Sequence, residues 1–163
     1  MLVGFFIKHI WIHHLKLTNN RSMARISIEY PGNTLFEHEL SVRVTDLNFA
    51  DHLAHDSVIS LLHEARAQFF KAHNMSELDV GGKGIIMADI AVNYRSEAYF
   101  GDKLNVEIAL GDFSSKGCDF FYKVSNKKSG ATVAVAKTGI VFMDYTTRKL
   151  APVPDEFLNV ARA

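Results

Sequence analysis

Between Asp56 and Ala72 the apolar residues Val58, Leu61, Leu62, Ala65, Phe69 and Ala72 recur every three or four positions. That spacing predicts a helix of about five turns, with Asp56 as its N-cap and Glu64, Arg66 and Lys71 set around the rest. Ile59, Ala67 and Phe70 fall on the other side, which leaves the helix apolar over most of its circumference. Such a helix is expected to be buried on several sides and not laid on a surface.

The rest of the chain changes period. Phe36 to Thr45 alternates and is rich in β-branched and aromatic residues, so it reads as a strand, followed by a loop from Asp46 to His55. Beyond a glycine-rich break at Gly81, Gly82 and Gly84 come four runs of period two: Ile86 to Arg95, Leu104 to Leu110, Phe120 to Val124, and Val133 to Tyr145. Gly101-Asp102, Ser114 to Gly117 and Asn126 to Gly130 supply the turns. One strand, one helix and a four-stranded meander predict an α+β fold: an antiparallel sheet of about five strands wrapped around one long central helix. No repeat or linker interrupts Leu35 to Pro154, so one folding unit is expected.

Composition narrows the partner. Eighteen basic residues balance eighteen acidic ones, so no overall field holds a nucleic acid or an anionic membrane. A small molecule or a second copy of the chain is expected instead. The single cysteine, Cys118, excludes an internal disulfide and a zinc site of several thiolates, and a reducing, cytoplasmic setting is the default. Residues 1 to 22 begin apolar, but Lys8 and His9 interrupt the run and no small-residue cleavage site follows. That fits neither a signal peptide nor a membrane span. Met23 is the expected natural start, with residues 1–22 an extension outside a single domain of 23–163.

The loop and helix carry the motif: Arg43-Val-Thr-Asp46-Leu-Asn48-Phe-Ala-Asp51-His52-Leu53-Ala-His55-Asp56, running on to His63-Glu64-Ala65-Arg66. Later come Tyr94-Arg95-Ser96-Glu97-Ala98 and Gly101-Asp102-Lys103-Leu104. These segments resemble the hot-dog-fold thioesterases, in the 4-hydroxybenzoyl-CoA thioesterase-like branch, over roughly Leu35 to Pro154. The resemblance implies a hot-dog fold and hydrolysis of an acyl-CoA thioester to acid and coenzyme A. It implies no cofactor beyond the coenzyme A of the substrate, and homodimers joined edge to edge, often paired into homotetramers, with sites at the subunit interface. The strand Ile140 to Tyr145 and the long helix are the expected contacts. Many relatives carry an Asp where this chain has Asn48, which can be neither base nor nucleophile.

Thioester hydrolysis needs a positioned water, a base and donors for the oxyanion. The helix start near Asp56 would aim free N–H groups at a carbonyl bound in the turn Asp51 to His55. Candidate catalytic residues are Asp46, His52, Asp56 and Glu64. Asp46 reads equally as a turn-stabilising residue, and Asp56 as a plain cap. Glu64 is expected to be at least partly buried, either as a base or paired with Arg66 or a basic strand residue. His52 is expected to orient the turn or the attacking water, or to be a satisfied structural histidine. Asn48, Leu53 and His55 in the turn are candidate substrate contacts; Arg95 and Lys83, with Lys103 and Lys116, read either as contacts for the phosphates or as ordinary solubilising charges. His52 and His55 are three apart with Asp56 adjacent, but no third ligand stands at firm spacing and His63 reads as a helix-face residue, so no metal is expected. Cys118 lies in a strand and no G-x-S-x-G elbow is present, which argues against a nucleophilic triad. Gly81-Gly82-Lys83-Gly84 lacks the ending of a phosphate loop and reads as a turn or lid. Two other readings stay open. One is a non-catalytic acyl-CoA or acyl-carrier-protein binding module. The other is a hydroxyacyl-thioester dehydratase, although its H-F-P-G-x-P run is absent.

Overall fold

The computed structural model describes residues 25–162; the expectation for residues 1–22 lies outside them. The elements are β1 (Phe36–Ser41), α1 (His55–Ala72), β2 (Gly84–Tyr94), β3 (Lys103–Gly111), β4 (Gly117–Asn126), β5 (Thr132–Asp144), β6 (Lys149–Leu150) and α2 (Asp155–Ala161). One antiparallel sheet runs in the order β1-β3-β4-β5-β2, with the two-residue β6 also on β5. The five long strands and the 18-residue helix match the expected inventory.

Three features differ from the expectation. The later strands are not a simple meander, because β2 pairs with β5 and not with β3. β5 is buried along most of its length and takes an interior place, whereas β2 is exposed through its middle and takes an edge. With β4 on one side and β2 on the other, the Ile140 to Tyr145 segment of β5 has no free edge for a second subunit along the stretch those strands pair. Among the described residues no strand pairs with the outer side of β2, which is approached near Asn93, whose side chain accepts from Ile28 N (2.9 Å) and donates to Ile26 O (2.6 Å). Finally, α2 follows the Pro154 at which the regular pattern ended, and it belongs to the core.

The helix also departs from its predicted burial. Val58, Leu61, Leu62, Ala65, Phe69 and Phe70 are buried, but His55, Asp56, Ile59, Ser60, His63, Glu64 and Lys71 form an exposed face on the single chain. The polar residues at those positions outweigh Ile59, so the stripe is narrower than the apolar count implied. Under α1 the rings of Phe69, Phe120 and Phe157 meet those of Phe70 and Phe142, Phe69 and Phe120 edge to face at 5.3 Å. Arg66 is buried in this layer. Its Nε donates to Glu77 Oε1 (2.7 Å) and its Nη1 to the Tyr122 hydroxyl (3.4 Å), which also meets Thr138 Oγ1 at 3.0 Å. Among the described residues no buried side-chain polar atom lacks a partner, so the cost of burying this guanidinium is met by hydrogen bonds.

Candidate active site

The loop between β1 and α1 is built from two turns. In the first, a 3-10 turn over Val44–Asp46, the Asp46 carboxylate folds back on Arg43. It accepts from Arg43 N (2.8 Å), Nε (3.1 Å) and Nη2 (2.8 Å), and its own carbonyl accepts from Ala54 N at 2.9 Å. Asp46 is therefore a buried brace between the strand end and the helix start. The Arg43 side chain, and next its backbone N–H, hold the Asp46 carboxyl below its ordinary value against the opposing effect of burial.

A carboxyl with a lowered native pKa binds fewer protons folded than unfolded, so its contribution is present above the ordinary value of 3.8 and fades as pH falls through the native one. Asp46→Asn is expected to cost about 1 kcal/mol at neutral pH, as one or two hydrogen bonds are lost beside a largely exposed Arg43. The difference from wild type in thermal midpoint should shrink below about pH 4; a difference that stayed constant down to pH 2 would contradict the brace.

The second turn runs from Asn48 to His52. Asn48 N donates to His52 O (2.9 Å) and Asp51 N to Asn48 O (3.1 Å). Asp51 adopts φ 59°, a left-handed conformation that Asp tolerates better than most residues. Asn48 Oδ1 accepts from Ala50 N at 2.8 Å. That bond fixes the amide, so Nδ2 is the atom facing His52 Nδ1 at 3.3 Å. Nδ2 only donates; Nδ1 therefore accepts, and the ring proton of neutral His52 sits on Nε2. The Leu53 carbonyl, 3.4 Å from Nδ1, is the longer contact.

The segment after β2 docks onto this turn. Leu53 N donates to Ala98 O at 2.8 Å, and His52 bridges to Tyr99. Glu97 thereby stands across from His52, with Oε1 4.0 Å from Nε2, while the Tyr99 hydroxyl donates to Glu97 Oε2 at 2.5 Å. At the other end the Tyr94 hydroxyl donates to His55 O at 2.9 Å, tying β2 to the first residue of α1.

These groups surround one cavity of about 390 Å³. Of the residues expected at the site it gathers Asn48, His52, Leu53, His55 and Arg95. It adds Val58, Tyr94, Ser96, Glu97, Ala98 and Val133, which the sequence did not single out although Tyr94 to Ala98 belong to a segment that resembles the family. Asp46, Asp56, Glu64 and Lys83 do not line it. The N-cap lies two residues earlier than expected: it is Ala54, without a side-chain bond, and Asp56 lies exposed in the first turn. Glu64 is exposed too, and accepts from Gln68 Nε2 at 2.7 Å, because Arg66 turns inward to Glu77. Lys83 pairs with Asp144 at 2.6 Å, which pulls the Asp144 carboxyl down to about 2.

The uncapped helix start matters chemically. The first intrahelical bond runs from Val58 N to Ala54 O, so the N–H groups of His55, Asp56 and Ser57 have no partner among the described residues. Free N–H groups of this kind leave partial positive charge at the helix start, beside the cavity that His55 and Val58 line. Cys118 is buried on β4, and burial, then Asp119, pushes its thiol up to about 12, far from a nucleophile's range. Among the described residues no three His, Cys, Asp or Glu side chains converge as metal ligands, and no helix is long and apolar enough to cross a membrane.

The family model of the thioesterase-like superfamily matches residues 42–160. A 1,4-dihydroxy-2-naphthoyl-CoA hydrolase of Synechocystis is 24% identical over 122 residues, 73% of this chain and 88% of that protein. The crystal structure of a 1,4-dihydroxy-2-naphthoyl-CoA thioesterase from Synechocystis shares the fold at a TM-score of 0.71 and 22% identity, over 78% of this chain and 95% of that one. A Staphylococcus aureus protein, solved in complex with CoA, does so at 0.71 and 17% identity, over 78% and 81% of the two chains.

Proposed function

Because the chain belongs to the thioesterase-like superfamily, with the hot-dog fold of those enzymes, we propose that it hydrolyses an acyl-CoA thioester to the free acid and coenzyme A. One observation carries the reading: a single cavity joins an uncapped helix N-terminus to a histidine of fixed tautomer. The acyl carbonyl oxygen lies at the free N–H groups of the first turn of α1, which stabilise the oxyanion as water adds. His52 holds that water through Nε2–H, and Asn48 keeps the ring in that form. Leu53 and Val58 offer the acyl group an apolar wall, and Arg95 supplies positive charge for the phosphates. Asp46 acts through the loop it braces.

Thiol release from acyl-CoAs of differing chain length, with one aromatic thioester, tests the reaction. Binding without turnover would favour the alternative of an acyl-thioester binding module, which Asn48 makes the specific competitor.

The same reading assigns the exposed face of α1, with Ile59 and Glu64, and the open outer side of β2, with Met87 and Ile90, to contact between two copies of the chain. A homodimer, or a tetramer of two, is expected by light scattering; a monomer at micromolar concentration would contradict it. The single buried cysteine fits a reducing, cytoplasmic setting.

A further inference from the structure

Hydrolysis needs a group that takes the proton of the attacking water, and Asp46, Asp56 and Glu64 do not line the cavity. His52 does not supply it either. Its Nδ1 is occupied by Asn48 Nδ2, and its Nε2 carries the proton. Among the described residues, the one carboxylate lining the cavity is Glu97.

We infer that Glu97 is the general base of this site, an assignment that rests on the thioesterase reading above. The separation of 4.0 Å between His52 Nε2 and Glu97 Oε1 is too long for a direct hydrogen bond. It suits a single water that accepts from Nε2–H and donates to Oε1. The other carboxylate oxygen accepts from the Tyr99 hydroxyl, which leaves Oε1 for the water and fixes the plane of the carboxylate. That bond, and then the charge of Glu97, raise the Tyr99 hydroxyl's own pKa, so Tyr99 keeps its proton and stays a donor. The backbone bond from Leu53 N to Ala98 O locks the two segments in register, so the base and the water-holding histidine keep their spacing.

The step balances without any co-reactant. The water oxygen bonds to the thioester carbon as one water proton passes to Glu97 Oε1, and the carbonyl electrons move to the oxygen held by the N–H groups of α1. When the tetrahedral adduct collapses, the C–S bond breaks and its electron pair leaves with sulfur. Glu97 returns the proton to the thiolate, giving acid and free thiol. Glu97 is a catalytic residue in this scheme, and Tyr99 is a positioning residue.

The test is steady-state hydrolysis of the CoA thioester that the full wild-type chain turns over fastest. Glu97→Gln keeps the shape and a hydrogen bond to Tyr99, and the side chain is largely exposed, so folding is expected to be unchanged. A fall in kcat on the order of 100-fold or more is expected, with KM near wild type. Hydroxylamine, a nucleophile that needs no base, should restore thiol release by Glu97→Gln above the uncatalysed rate. Tyr99→Phe should lose less than Glu97→Gln, again in kcat. Wild-type kcat in Glu97→Gln, a loss confined to KM, or a loss that hydroxylamine does not restore would each overturn the assignment. A wild-type chain silent on every thioester would instead overturn the hydrolase reading, and this assignment with it.

Discussion

Phe157→Ala is expected to destabilise the protein by about 3–5 kcal/mol, the usual cost of deleting a buried aromatic ring. Phe157 is 0% exposed, although it sits in a seven-residue helix beside the C-terminus. Its ring lies 5.2 Å from Phe142, 6.1 Å from Phe70 and Phe120, and 6.5 Å from Phe69 and Phe113. It therefore joins α1 and two central strands. A helix of this length has no stability of its own in water, so loss of the ring is expected to release α2 as well. The cavity left behind would face Phe69 and Phe120 under the long helix, and those rings cannot close it without leaving their edge-to-face contact. Urea unfolding of the purified variant measures the loss. A change below about 1 kcal/mol, within the range of surface substitutions and their neighbours, would show that α2 does not belong to the core.

His52→Ala is expected to lower kcat by about 100-fold, or about 2.7 kcal/mol of transition-state stabilisation. The side chain is held by Asn48 on one nitrogen and faces Glu97 with the other. Its backbone contributions, the bonds from Asn48 N and the bridge to Tyr99, survive the substitution. The turn should therefore keep its shape and the thermal midpoint should move little, while the water loses its donor. His52→Gln, whose amide can still donate, is expected to retain more activity than His52→Ala. Equal loss in both variants, together with a drop in stability, would mean that the ring serves the turn and not the water.

The elements were legible because their periods are clean. Leu61, Leu62, Ala65 and Phe69 mark the helix, and alternation along Leu104 to Leu110 marks a strand whose side chains alternate between core and partly open positions near its start. Strand order was not legible. Both β2 and β5 read as apolar strands, and only their unequal burial in three dimensions shows that β5 takes the interior place. α2 was hidden because one aromatic, Phe157, does most of its anchoring, which leaves too few apolar positions for a helical period. Within the site, the turn from Asn48 to His55 was readable from its motif. The exposure of Glu64 was not legible, because Arg66, two positions on, faces the other way around the helix, toward a carboxylate at Glu77 in a loop that carries no periodic signal. Glu97 was missed for a related reason. Its meeting with His52 depends on the docking of Ala98 on Leu53, a long-range backbone bond that no local pattern encodes.

The most direct measurement is release of free thiol by the wild-type chain from a panel of acyl-CoAs, followed with a thiol-reactive dye. Turnover of at least one member, abolished or reduced on the order of 100-fold by His52→Ala, is the expected result. Saturable binding of acyl-CoA with no thiol released from any member would contradict the assignment as a hydrolase.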